Sequence, residues 1–144
     1  MGLSRAQLMF VALHKQVYRA TGGRLLGRFG HLEQVLLTTT GRTSGQARTT
    51  PLAGTPDGDR LVLVASNNGG DAHPAWYLNL VANPQVSVQR GATVAAMTAR
   101  TAEGVERDRL WDLVVRNNPG YARYAERTTR RIPVVVCEPP TDGR

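Results

Sequence analysis

The chain is poor in cysteine, in lysine and in long apolar runs, and each shortage excludes something. Its one cysteine, Cys137, cannot form an internal disulfide or a cysteine-based metal site. It lies in Ile132-Pro133-Val134-Val135-Val136-Cys137 and reads as a small buried residue, not a reactive thiol. No apolar run approaches the roughly 20 residues that a spanning helix needs. The stretch Leu8-Met9-Phe10-Val11-Ala12-Leu13 is short for a signal-peptide core and no small-residue cleavage site follows, so a cytoplasmic chain is expected. His14, His31 and His73 are scattered without ligand spacing, and no metal is expected. Ser44 and Ser66 lack a paired base and a Gly-x-Ser-x-Gly elbow, which argues against a hydrolase.

Lysine occurs once, at Lys15; all the other basic residues are arginine, and 18 basic residues face 11 acidic ones for a net charge of +7. Guanidinium groups keep their charge and grip phosphate or carboxylate through two parallel bonds. The excess implies an anionic partner. Nucleic acid fits poorly, because the arginines are dispersed, aromatics make up only 6% and no reading motif is present.

A chain of 144 residues makes one domain. The pattern divides it into an N-terminal helical segment (1–31), a barrel (32–138) and a disordered tail (139–144). A helix is expected over 5–20, ended by Gly22-Gly23. From Met1 to Leu32 there are five basic residues and no acid, so contact with a membrane surface is the alternative to simple packing on the domain. Strands are expected over 34–40, 48–54, 60–66, 86–90, 93–101 and 132–137, with the last continuously apolar and therefore central. Helices are expected over 75–82, between His73-Pro74 and Asn83-Pro84, and over 104–117, followed by a short segment with Tyr121 and Tyr124. Hairpin-joined strands with few helices predict a mainly β fold with α decoration, a closed or partly closed antiparallel barrel.

Two segments carry chemistry. Gly41-Arg42-Thr43-Ser44-Gly45-Gln46-Ala47-Arg48 lies between strands. Its glycines allow close approach to the backbone, its hydroxyls donate, and two arginines bracket it. On spacing alone a phosphate cradle and a solvated hairpin turn are both open. It is neither a Walker loop nor a dinucleotide fingerprint. The second segment runs from Val64-Ala65-Ser66-Asn67 through Asn68-Gly69-Gly70-Asp71-Ala72-His73-Pro74 into Ala75-Trp76-Tyr77-Leu78-Asn79. A strand passes into a loop of amides and glycines and then into a helix start, a place for an anion or a carbonyl-rich ring. Trp76 either flanks such a ring or forms, with Leu80, the core face of the helix. Tyr121 and Tyr124 share a helix face, as packing or as the rim of a pocket.

Taken in order, Leu36-Leu37-Thr38-Thr39-Thr40-Gly41-Arg42-Thr43-Ser44-Gly45-Gln46-Ala47-Arg48, Val64-Ala65-Ser66, His73-Pro74-Ala75-Trp76-Tyr77-Leu78-Asn79-Leu80 with Asn83-Pro84, and Arg131-Ile132-Pro133-Val134-Val135-Val136 resemble the deazaflavin-dependent nitroreductases. The likeness covers about residues 5–138. It implies a split β-barrel that uses coenzyme F420, whose phosphate and oligoglutamate tail suit the basic excess.

By the same resemblance, Arg42, Thr43, Ser44, Gly45, Gln46, Ala47 and Arg48 hold the phosphate and tail. The ring lies against Pro51, Leu52, Val64, Ala65, Ser66, Asn67, Ala75, Trp76 and Asn79. Ala53, Ser66, Tyr121 and Tyr124 lie near the substrate, with a hydroxyl of Ser66, Tyr121 or Tyr124 in the catalytic position. The resemblance implies hydride transfer from reduced F420 to a small lipophilic quinone, an enone or a nitroaromatic. Thr43 and Asn67 stand where many relatives carry lysine, and Asn118-Pro119 where relatives active on bulky nitroimidazoles carry a further tyrosine. The alternatives are a non-catalytic binder of F420 or of a fatty acid, and an FMN enzyme on the same barrel. A monomer or weak homodimer is expected.

Overall fold

β-branched and leucine runs between turn signals become six strands. These are β1 (Glu33–Thr40), β2 (Ala47–Asp57), β3 (Arg60–Val64), β4 (Gln85–Arg90), β5 (Thr93–Thr101) and β6 (Val134–Glu138). In this computed structural model, which describes residues 33–140, they close into an antiparallel barrel in the order β1-β2-β3-β6-β5-β4. Three helices decorate it: α1 (Ala75–Ala82), α2 (Gly104–Asn117) and α3 (Gly120–Glu126). The helix expected over 5–20 and the membrane contact considered for it lie outside the described residues. So does most of the expected tail, of which Pro139 and Pro140 are exposed. Among the described residues no helix is long and apolar enough to cross a membrane.

The barrel closes unevenly. All of β1 pairs with β2, from Glu33↔Gly54 to Thr40↔Ala47. Only Thr55, Pro56 and Asp57 of β2 then pair with β3. Residues 47–54 of β2 therefore keep one edge free of β3. Pro51, which has no N–H to give a ladder, sits within this stretch. Beyond it β2 continues to Asp57, further than sequence patterning suggested. Gly58, at φ 65, takes the left-handed position that lets the chain turn back directly into β3.

Two apolar clusters account for the packing. Inside the barrel Val35, Leu37, Leu61, Leu63, Val88, Met97, Val135 and Cys137 meet, and Trp76 and Leu80 of α1 pack into the same cluster. On the other face of β3 and β6, Val62, Val64, Val134 and Val136 pack against Leu110 and Val114 of α2 and Tyr121 of α3. Both faces of β3 and β6 are thus covered, which is why these strands are apolar at successive positions. Each fully buried leucine contributes about 1.5–3 kcal/mol. Burial also pushes the Cys137 thiol up to about 12, so it stays protonated and inert.

Four arginines away from the turn are spent on ion pairs. Arg60 pairs with Asp57 at 2.6 Å, Arg100 with Glu106 at 2.6 Å and with Glu138 at 2.8 Å, and Arg109 with Asp57 at 3.2 Å. This network fastens α2 to the barrel. Arg90 binds Glu33 across β4 and β1 through both carboxylate oxygens.

Candidate functional site

The β1–β2 turn is set by its own short bonds. The Gly41 N–H donates to the Gln46 carbonyl at 2.7 Å, and the Gly45 N–H to the Gly41 carbonyl at 2.8 Å. Ser44 Oγ accepts from the Gln46 N–H at 3.1 Å. Gly45 lies at φ 70, where a side chain is costly. A Cβ at Gly41 would meet Ser44 Oγ at 2.6 Å and would lie 3.6 Å from Arg48 Nε. The turn thus requires glycine at position 45, and a side chain at 41 would displace the Ser44 hydroxyl. Arg42, Thr43, Ser44, Gly45, Gln46, Ala47 and Arg48 are all exposed. Among the described residues neither Arg42 nor Arg48 faces an acid, unlike Arg60, Arg90, Arg100 and Arg109.

Asn79, from the buried face of α1, anchors this turn. Its Oδ1 accepts from the Arg42 backbone N–H and from the Arg42 guanidinium, each at 3.2 Å. Its Nδ2 donates to Thr39 Oγ1 at 3.1 Å. Asn79 is only 4% exposed, so the amide acts from within the fold and spends both its ends on protein. It belongs to the site as the group that holds Arg42, not as an open donor.

β1 and β3 both run antiparallel to β2, so their C-terminal ends lie at the same end of the barrel. The turn after β1 and the loop after β3 are thereby gathered there. α1 links the two regions: Asn79 reaches the turn, and His73, just before the helix, reaches the guanidinium of Arg130. Tyr77, on the same helix, exchanges a hydrogen bond of 2.9 Å with Thr101 at the end of β5. The helix end of the second sequence motif thus touches the turn that forms the first.

The loop after β3 has a particular backbone. Asn67 and Asn68 lie at φ 49 and 55 and Gly69 at φ 78, three left-handed residues in succession. Outside glycine this conformation costs about 1–3 kcal/mol per residue and persists only where surroundings impose it. Asparagine tolerates it best. Asn67 Nδ2 also donates to the Ala72 carbonyl at 3.0 Å, a bond that bridges the loop through a short side chain. That gives the departure at Asn67 a local reason. Nothing in the structure explains Thr43 in the same way.

The remaining candidates separate. Ala65 and Ser66 are buried at the start of the loop, and Val64 is buried at the end of β3. Pro51 and Ala53 are exposed and Leu52 partly so, along the stretch of β2 that does not pair with β3. Ala75 is exposed at the start of α1, whereas Trp76 is buried in the barrel core. Tyr121 packs in the outer cluster, 7% exposed, with its ring 6.3 Å from that of Tyr124. Burial raises the Tyr121 pKa, which makes its hydroxyl a weaker acid than a free tyrosine. Tyr124 is half-buried beneath the Arg127 guanidinium. Its carbonyl would lie 3.1 Å from a Cβ at Gly69, which puts the end of α3 directly against the loop.

A β2 edge that β3 leaves free, an exposed arginine turn and a loop at one end of the barrel define the class by fold: a split β-barrel. The profile of the F420H(2)-dependent quinone reductase family matches residues 10–139, and the chain belongs to that family. It is 41% identical over 133 residues to an F420H(2)-dependent quinone reductase of Mycobacterium tuberculosis, covering 90% of this chain and 89% of that one. Among solved structures it is similar to an F420-H2 dependent reductase, FDR-A, at 46% identity and TM-score 0.69, over 74% of this chain and 94% of the other. A structure described as a domain-swapped dimer matches at 40% identity and TM-score 0.69, over 86% and 98%. The split-barrel fold and the family resemblance read from the motifs are both borne out.

Arg130 is the residue that sequence reading missed. It lies 64 positions beyond Ser66 yet donates to the Ser66 carbonyl at 2.8 Å. The neighbouring Arg131-Ile132-Pro133 was noticed for its apolar strand, and no local spacing marks Arg130 itself.

Proposed function

We propose that this chain reduces a quinone with hydride taken from reduced coenzyme F420. The observation that carries the reading is the turn itself. Two exposed arginines without acidic partners among the described residues stand on one turn, beside the edge of β2 that β3 leaves free, and one is fixed in place by a buried amide. That donor set fits a polyanion. Arg42 and Arg48 would hold the phosphate and tail, and charged hydrogen bonds of this kind contribute about 1.5–3 kcal/mol each. The backbone groups of residues 47–54 on the edge away from β1, which β3 does not pair, would meet the polar edge of a flat ring, with Ala65, Ser66 and Asn67 on its other side.

When bound, reduced F420 supplies an electron pair as hydride. The chain's own residues orient the acceptor, exclude water and present a proton. Reduction of a quinone to the hydroquinone needs a proton besides the hydride, and a hydroxyl kept protonated at neutral pH suits that end of the site. Tyr121 is one such hydroxyl. Ser66 and Tyr124 lie in the same region, and Ala53 borders the acceptor on β2. An α,β-unsaturated carbonyl presents the same polarised oxygen and is the related substrate class.

Anaerobic mixing of the purified protein with reduced F420 and menadione tests this. The absorbance of oxidised deazaflavin should return only when all three are present. A rate no greater than that without protein, across quinones and enones alike, would refute it.

A further inference from the structure

Arg130 stands between α3 and β6, outside every motif discussed above, and its guanidinium is almost completely committed. Nε donates to the Gly70 carbonyl at 2.9 Å. One terminal nitrogen donates to the Ala65 carbonyl at 3.2 Å and to His73 Nδ1 at 3.0 Å. The other donates to the Ser66 carbonyl at 2.8 Å. Three of the four acceptors are backbone carbonyls of one loop. The fourth is the side chain that precedes α1.

These acceptors bracket the left-handed residues Asn67, Asn68 and Gly69 on both sides. The loop's own bonds are Gly69 N–H to the Ser66 carbonyl and Gly70 N–H to the Asn67 carbonyl, each at 2.9 Å, and Asn67 Nδ2 to the Ala72 carbonyl at 3.0 Å. On its own such a loop has little to hold it in a sparsely populated conformation. A rigid, planar fork with five donors can hold all four acceptors in fixed directions, whereas a lysine ammonium offers three donors on a flexible stem. Because a guanidinium only donates, His73 Nδ1 must accept, leaving the ring proton on Nε2. Thr128, two residues before Arg130, adds a contact from its Oγ1 to Asp71 at 3.3 Å. The segment after α3 therefore grips the loop along its length.

We propose that Arg130 is a positioning residue for the deazaflavin ring: it imposes the left-handed conformation of Asn67–Gly69 and so shapes the wall on which the ring rests. This builds on the cofactor reading above, and it assigns Arg130 no contact with the cofactor. Its effect should be confined to the ring end, whereas Arg42 acts on phosphate and tail.

The test compares F420 with the deazaflavin chromophore that lacks phosphate and tail, titrated into the unmodified chain, Arg130→Met, Arg130→Lys and Arg42→Ala. Thermal unfolding and amide hydrogen exchange are measured on the same proteins. Arg130→Met should weaken both ligands by the same factor, tenfold or more, and speed exchange at Gly69 and Gly70. Arg130→Lys, which keeps the charge but not the fork, should fall between and secures the comparison if the methionine variant unfolds. Arg42→Ala should weaken F420 alone. Unchanged exchange at Gly69 and Gly70 in both Arg130 variants would overturn the proposal, as would unchanged affinity despite faster exchange. Failure of the unmodified chain to bind either ligand would overturn the cofactor reading, and with it the ring as the object positioned. The exchange rates would still distinguish that failure from a failure of Arg130 to hold the loop.

Discussion

Asn79 Oδ1 receives both the backbone N–H and the guanidinium of Arg42, each at 3.2 Å, and so couples a buried helix face to an exposed basic turn. The coupling separates two tasks. The turn can stay exposed to meet an anion while its leading arginine is held by a group that solvent does not reach.

Asn79→Ala should therefore weaken F420 binding although Asn79 has no free polar end. Loss of the amide releases Arg42 and leaves Thr39 Oγ1 without its donor. An effect of about 1–2 kcal/mol, or roughly five- to thirtyfold in Kd, is expected by titration. An unchanged Kd would mean that Arg42 needs no anchor.

Gly54→Ala should destabilise the fold. A Cβ there would lie 2.7 Å from Leu61 Cδ1, and Leu61 is fully buried, so neither the strand nor the leucine has room to yield. Overpacking of this kind costs about 1–3 kcal/mol. Chemical denaturation should show a lower midpoint at unchanged slope.

Much of this architecture was legible in the chain. Pro74 and Asn83-Pro84 delimit α1, and residues 75–82, 93–101 and 104–117 fall where periodicity and breakers placed them. The continuous apolar run near the C-terminus reads as a strand covered on both faces, and β6 is one, lying between β3 and β5. Its start was less legible: the ladder is regular from Val134, while the Pro133 carbonyl still accepts from the Ala65 N–H at 3.0 Å. The site was readable only in pieces. Arg42 and Asn79 are 37 residues apart and Arg130 and Ser66 are 64 apart, so each contact exists only once the barrel has closed. The left-handed Asn67-Asn68-Gly69 turn was hidden for a related reason, since a distant guanidinium helps to hold it.

Acid should loosen α2 from the barrel. The Arg100 guanidinium, helped by Arg60, holds the Glu106 carboxyl down to about 2 against an ordinary 4.5. The unfolded chain takes up that proton first, so this contribution is complete above about pH 4.5 and is lost as pH falls through 2. With Glu106 30% exposed, solvent screening limits it to about 1–2 kcal/mol. Glu106→Gln should be less stable at neutral pH and should show a shallower acid decline in thermal melts.

His73 gives a second slope at higher pH. Burial, and then the positive charge of Arg130, hold the imidazole below its ordinary 6.5. The unfolded chain binds the proton first as pH drops below about 6.5, so stability is full above that value and declines beneath it. His73→Asn offers Arg130 an acceptor that does not titrate. Melting temperatures across pH 5 to 8 (roughly the window in which histidine titrates) should fall toward acid in the unmodified chain and flatten in the variant.

The most direct test of the whole account is titration of the purified chain with F420 beside Arg42→Ala and Arg48→Ala, at low and high salt. Saturable binding is predicted, weakened by about 1.5–3 kcal/mol in each variant, with a smaller salt dependence once either arginine is gone. No binding by the unmodified chain, or equal affinity in all three proteins, would contradict it.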